Sequence, residues 1–191
     1  KERGVLNFVA PSLAQVNYVL GTVDFGGQLK FYDATSKYSE ANVVPPRAYN
    51  YFAYLIREKE GVQVNVLPEG KSSTTQVINA KFEKDGTFSG DFSDTDAKLY
   101  ALTSSESYNK DAEQYFKDYK ENYKFPVENM KGERQDNGTF ITKFNFSADN
   151  FVDGVGGKYV FNPLLFLHRK NHEFDQDDAR RSPIEMLSGY D

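Results

Sequence analysis

Residues 15–35, QVNYVLGTVDFGGQLKFYDAT, decide how this chain is read. Val16, Tyr18 and Leu20 alternate with Asn17, Val19 and Gly21. Apolar groups fall on both faces, which predicts a strand covered on two sides. Gly26-Gly27 can supply the positive φ values of a tight hairpin turn. Leu29, Phe31 and Tyr32 make the return strand, and Asp33 ends it. Its carboxylate is placed to accept the amide hydrogen of Thr35 in an Asx-turn.

Outward from this hairpin, residues 5–9 (VLNFV) form a short apolar run broken at Pro11, which suits an edge strand. On the other side, residues 36–46 are loop-like, with Pro45-Pro46 a stiff extended segment. Residues 49–57 (YNYFAYLIR) predict a strand that finishes a first unit, and Glu58-Lys59-Glu60-Gly61 predicts a boundary. The expected division is 1–60 and 61–191.

The segments PSLAQVNYVL, VDFGGQLKFYDAT and VVPPRAYNYFAYLI together resemble the end of a transglutaminase-like core from cell-envelope proteins of Gram-negative bacteria. The resemblance covers about the first 57 residues. It implies a papain-like Cys-His-Asp arrangement, with the His on one strand and the Asp ending the next in a D-x-T context. Asp33-Ala34-Thr35 matches the Asp segment, and Tyr18 stands where the family places its His. An imidazole can take a thiol proton at neutral pH. A phenol already holds its own. The chain contains no cysteine, so the nucleophile would have to lie upstream of Lys1. The resemblance therefore implies an incomplete or degenerate unit, with Tyr18 and Asp33 as its degenerate positions and no catalytic residue in this chain. The start at Lys1-Glu2-Arg3, without Met or signal segment, suggests a piece of a longer protein.

Beyond the boundary, Val62, Val64 and Val66 alternate with polar neighbours as in a half-buried strand. Asp85-Gly86 and Asn137-Gly138 each sit between apolar runs and predict two hairpins. Val77, Phe82, Phe88 and Phe92 should supply apolar contacts for the first, and Phe140, Phe144 and Phe146 for the second. Thr103-Ser104-Ser105-Glu106 fits a capping box. It predicts one helix, with Tyr108, Ala112, Tyr115, Phe116, Tyr119 and Tyr123 in a stripe packed on a sheet. Lys158-Tyr159-Val160-Phe161 predicts a last strand. The fold class expected is α+β, mainly antiparallel β: a short β remnant of a papain-like core, then a β-sandwich-like domain with one inserted amphipathic helix. Residues 62 onward resemble the all-β domain of unknown function that often follows such cores.

Composition narrows the function. The net charge is -5, and Lys and Arg form no stripe, so nucleic acid is not an expected partner. No apolar run approaches the ~20 residues of a membrane-spanning helix. His168 and His172, spaced i, i+4, are weak metal candidates in a charge-rich tail, and no metal or other cofactor is expected. Residues 91–96 (DFSDTD) lack the Gly and terminal Glu of a calcium loop and predict a solvated turn. Residues 154–157 (GVGG) precede no helix and are no phosphate cradle.

Three readings follow. The first is a non-catalytic piece with an interaction or architectural role, periplasmic or at the cell surface by resemblance, whose partners are the rest of the parent chain and another envelope protein or glycan. The second is part of a thiol-dependent acyltransferase or peptidase whose Cys lies upstream. The third is a glycan-binding β module, suggested by 13 Tyr and 16 Phe but weakened by the absence of Trp.

Overall fold

A computed structural model describes residues 12–83, 86–149, 151–162 and 164–167. It is mainly antiparallel β with two helices. The strands are β1 (Gly21–Phe25), β2 (Gln28–Tyr32), β3 (Asn50–Ile56), β4 (Gly61–Val66), β5 (Ser73–Phe82) and β6 (Phe88–Ala97). The helices α1 (Leu99–Lys110) and α2 (Ala112–Glu121) follow, then β7 (Val127–Arg134), β8 (Phe140–Ala148), β9 (Val152–Val155) and β10 (Lys158–Phe161). Strands β5-β6-β8-β7 form one four-stranded sheet, while β1–β2, β3–β4 and β9–β10 are two-stranded.

The hairpin turns form where glycine permits them. Gly26 and Gly27 take φ of 64° and 93° between β1 and β2, as the tight turn requires. Gly138 takes φ of 82°, and the Gln135 amide bonds the Thr139 carbonyl at 2.8 Å to close the second predicted hairpin. Glu83 and Thr87 close the first one in the same way at 2.9 Å, while Asp85 lies outside the described residues. The predicted edge strand at residues 5–9 also lies outside them. Glu58-Lys59-Glu60 is the turn between the paired strands β3 and β4. Pro45 is extended as expected (φ -55°, ψ 148°), but Pro46 opens a short 3-10 turn, Pro46–Ala48.

The strand expected from Val16 begins only at Gly21, because pairing with β2 stops at Gly21↔Tyr32. Tyr18 and Leu20 instead pack against a core of Phe31, Val43, Val44, Ala48, Tyr49, Val66, Leu99 and Leu102. β1 is therefore largely exposed rather than covered on both sides. This core joins β2, the loop after it, β4 and the start of α1 in one apolar cluster.

The large sheet is amphipathic. From Phe140 to Ala148, every second residue of β8 is buried. Phe140, Thr142 and Phe144 meet rings of the helices, Phe146 meets Phe125 and Phe166, and the intervening Lys143, Asn145 and Ser147 are exposed. The layer over this face is formed by α1 and α2, whose aromatic rings pack on it. Phe92 of β6 is 1% exposed. It stacks with Phe144 (ring centroids 4.6 Å), Phe166 (5.7 Å) and Tyr123 (6.2 Å). Val77 was expected among these contacts but is exposed; Ile78, one residue on, joins the core instead. The period of two puts Ile78 on the face of its cross-strand partner Phe92.

The helical segment departs most from expectation. Among the described residues there are two helices, and the first starts four residues before the predicted capping box. Lys98 turns the chain with φ of 58°, and the Leu99 amide is capped by the Ser72 hydroxyl at 3.3 Å. The box residues bond elsewhere: Thr103 to the Leu99 carbonyl, Ser105 to the Ala101 carbonyl and Ser104 to Asp96. The side-chain cap belongs to α2, where Asp111 accepts from the Gln114 amide at 2.9 Å. The extended backbone of Asp111 (φ -160°, ψ 97°) separates the helices. The aromatic stripe packs on the sheet as expected: Tyr108 and Tyr115 against Phe140, Tyr119 and Tyr123 against Phe144.

Candidate functional site

Tyr18 and Asp33, fifteen residues apart, meet directly. The Tyr18 hydroxyl donates to Asp33 Oδ2 at 2.6 Å. The Thr35 amide and the Thr35 hydroxyl both donate to Asp33 Oδ1 at 2.8 Å, so the predicted Asx-turn forms with an added hydroxyl bond. The Thr35 hydroxyl also lies 3.0 Å from that of Tyr18. Arg47, which the sequence did not single out, closes the group. Its guanidinium sits 5.1 Å from the Tyr18 ring centroid and donates to the Tyr18 oxygen at 3.3 Å.

Asp33 is 5% exposed. Burial alone raises its pKa, but the bonds from Tyr18 and Thr35 and the charge of Arg47 outweigh that and hold it below the ordinary 3.8. Chemically this is a carboxylate with both oxygens engaged. The Tyr18 proton is committed to it, so the pair supplies an internal tie and not a free base.

A second acidic group lies beneath the helices. Asp94 and Asp96 belong to β6, which runs on to Ala97, so residues 91–96 are strand and not the solvated turn expected. Their spacing of two puts both on the face that carries Phe92. Asp94 Oδ2 accepts from the Tyr119 hydroxyl at 2.5 Å, and Asp96 accepts from Thr74 and Ser104, each at 2.6 Å. Asp94 Oδ1 is buried and finds no donor among the described residues. Burial raises the Asp94 pKa above 3.8, opposed by the Tyr119 bond and reinforced by Asp96. Burial also pushes the Tyr119 hydroxyl far up and that of Tyr123 up to about 12.

The two aspartates drive stability in opposite directions with pH. Asp33, with its folded pKa lowered, adds stability above its unfolded value of 3.8 that is lost as pH falls through the folded pKa. Asp94, with its folded pKa raised above 3.8, binds a proton more readily when folded. Its contribution is therefore greatest in acid and declines as pH rises through the folded pKa. Urea melts across the acid range should show stability rising and then falling as pH increases. Asp94→Asn should flatten the falling limb and leave the rising one.

His168 and His172 lie outside the described residues. Among the described residues, no three His, Asp or Glu gather as a metal site. No helix among them is long and apolar enough to cross a membrane. Comparisons with protein-family models, curated proteins and solved structures found no match.

Proposed function

We propose that this chain is a non-catalytic interaction or architectural unit, a degenerate transglutaminase-like remnant joined to a β-rich accessory region. The observation that supports it is the Tyr18–Asp33 bond of 2.6 Å, with Thr35 filling the other carboxylate oxygen. An orienting aspartate acts in catalysis by holding an imidazole. Here its partner is a phenol, and the group serves to pin residues 18 and 47 to the end of β2. The resemblance adds a setting at the periplasmic side or cell surface, with the rest of a longer chain and another envelope protein or glycan as partners.

The test is the sign of a stability change. Active-site polar groups are commonly held at a cost to stability, so replacing one leaves stability unchanged or raises it. A structural carboxylate behaves oppositely. Asp33→Asn should lower stability by about 1–3 kcal/mol, and Tyr18→Phe by about 1 kcal/mol, in urea melts near neutral pH. A rise for Asp33→Asn would favour the thiol-enzyme reading, in which a Cys outside this chain uses Asp33 through another base.

A further inference from the structure

The two edges of the four-stranded sheet differ. The β7 edge is bulged between Glu128 and Lys131, with Asn129 at φ 52°, and carries Glu128, Lys131, Glu133 and Arg134. Bulges and charges of this kind keep an edge from pairing with another strand. The β5 edge has no bulge and a single charge. Its ten residues pair with β6 without a register shift, and no other described strand pairs with them. Lys81 is the sole charged residue of β5, and it is neutralised by Glu83 at 2.8 Å.

The ladder shows which groups this edge offers. Glu83 and Thr87 form a hydrogen-bonded pair next to Phe82↔Phe88. The alternation of an antiparallel ladder then points the N–H and C=O groups of Thr74, Gln76, Ile78, Ala80 and Phe82 away from β6. At the Phe82 end the edge continues into an apolar surface. Tyr159 stacks on Phe82 at 4.5 Å, and Val155, Val160 and Phe161 of the β9–β10 hairpin are 64%, 57% and 55% exposed.

We infer that β5 pairs with β5 of a second copy of this chain, antiparallel about a two-fold axis at Ile78, giving a continuous eight-stranded sheet. In that register Gln76 meets Ala80, Thr74 meets Phe82 and Lys81 meets Thr75. No like charges face each other despite the net charge of -5. A partner selected by opposite charge would find little handle on this edge, whereas a second copy meets it without charge conflict. Strand pairing alone buries less than the ~1,600 Å² of a standard interface. The β9–β10 hairpin of each copy, lying beside the Phe82 end, extends the contact over the partner's Thr74 end.

Sedimentation equilibrium of the full chain tests this, with a concentration-dependent dimer expected below about 100 µM. Ala80→Pro removes an outward amide while leaving the β5–β6 ladder intact, and should give a monomer with unchanged circular dichroism. Val77→Lys, at an exposed side chain beside the axis, provides the check if the proline variant does not fold. It should weaken the dimer about tenfold or more through like-charge repulsion, with the effect reduced by salt. A wild-type monomer at about 100 µM overturns the inference and leaves the edge to a different strand. A dimer indifferent to Val77→Lys also overturns it.

Discussion

Phe92→Ala should cost about 3–5 kcal/mol, among the largest losses expected from a single truncation in the sheet. Phe92 is 1% exposed and central to the ring cluster beneath α2. Its loss leaves Phe144 and Phe166, at 4.6 and 5.7 Å, facing a void. The neighbours are rings held by both strand and helix, so little collapse into that void is available. Folded domains typically have only about 5–15 kcal/mol in hand. The melting temperature should therefore fall by roughly 6–20 °C, since each kcal/mol is worth about 2–4 °C at this chain length. Val77→Ala, on the same sheet but exposed, should stay within about 0.5 kcal/mol. Comparable losses for the two would mean that the sheet is not packed as described.

Arg134→Ala should cost about 2–3 kcal/mol through a different mechanism. The guanidinium donates to the Ser105 hydroxyl at 3.0 Å, the Tyr38 carbonyl at 3.1 Å and Glu40 at 2.6 Å. It also sits 5.8 Å from the Tyr38 ring centroid. The residue thus ties the loop after β2 to α1 and β7 at once. Its side chain is 21% exposed and that of Glu40 49%, so the ion pair itself adds little, and the carbonyl and hydroxyl left without their donor account for most of the loss. Arg134→Lys keeps the charge but cannot fork to three acceptors, and should recover less than half. Hydrogen exchange gives the second readout. Amides of residues 39–43 should lose protection in Arg134→Ala, while those of β8 change only by the global amount. Uniform loss over both would reduce Arg134 to an ordinary surface residue.

Much of this architecture was legible because it rests on neighbours in sequence. The turns at Gly26-Gly27, Gly86 and Asn137-Gly138 and the alternating Phe140, Phe144 and Phe146 act over a few residues, and the structure follows them. The aromatic stripe likewise faces the sheet as its spacing demands. The misreadings share one cause: partners far along the chain. Ser72 caps α1 from the other end of the β5–β6 hairpin, so a local capping box, plausible in isolation, had no role to fill. Asp94 and Asp96 look like turn residues until Tyr119, Ser104 and Thr74 are brought to them. Their signal was the period of two shared with Phe92, which composition masked. The contacts of Tyr18 with Asp33 and Arg47 join residues 15 and 29 positions apart and left no local signal.

The order of strands in the large sheet has a kinetic consequence. β5–β6 and β7–β8 are hairpins that close over short turns, yet the sheet's central pairing is β6–β8. That pairing sets Phe88 against Ala148, across both helices and β7. Closing so long a loop costs chain entropy before any contact rewards it. Two early hairpins should therefore wait on a slower docking step, and the aromatic helix pair between them is what shortens the search. Substitutions at the turn tips and on α2 that weaken these early elements should slow folding, while those that weaken only the late β6–β8 contacts should mainly speed unfolding.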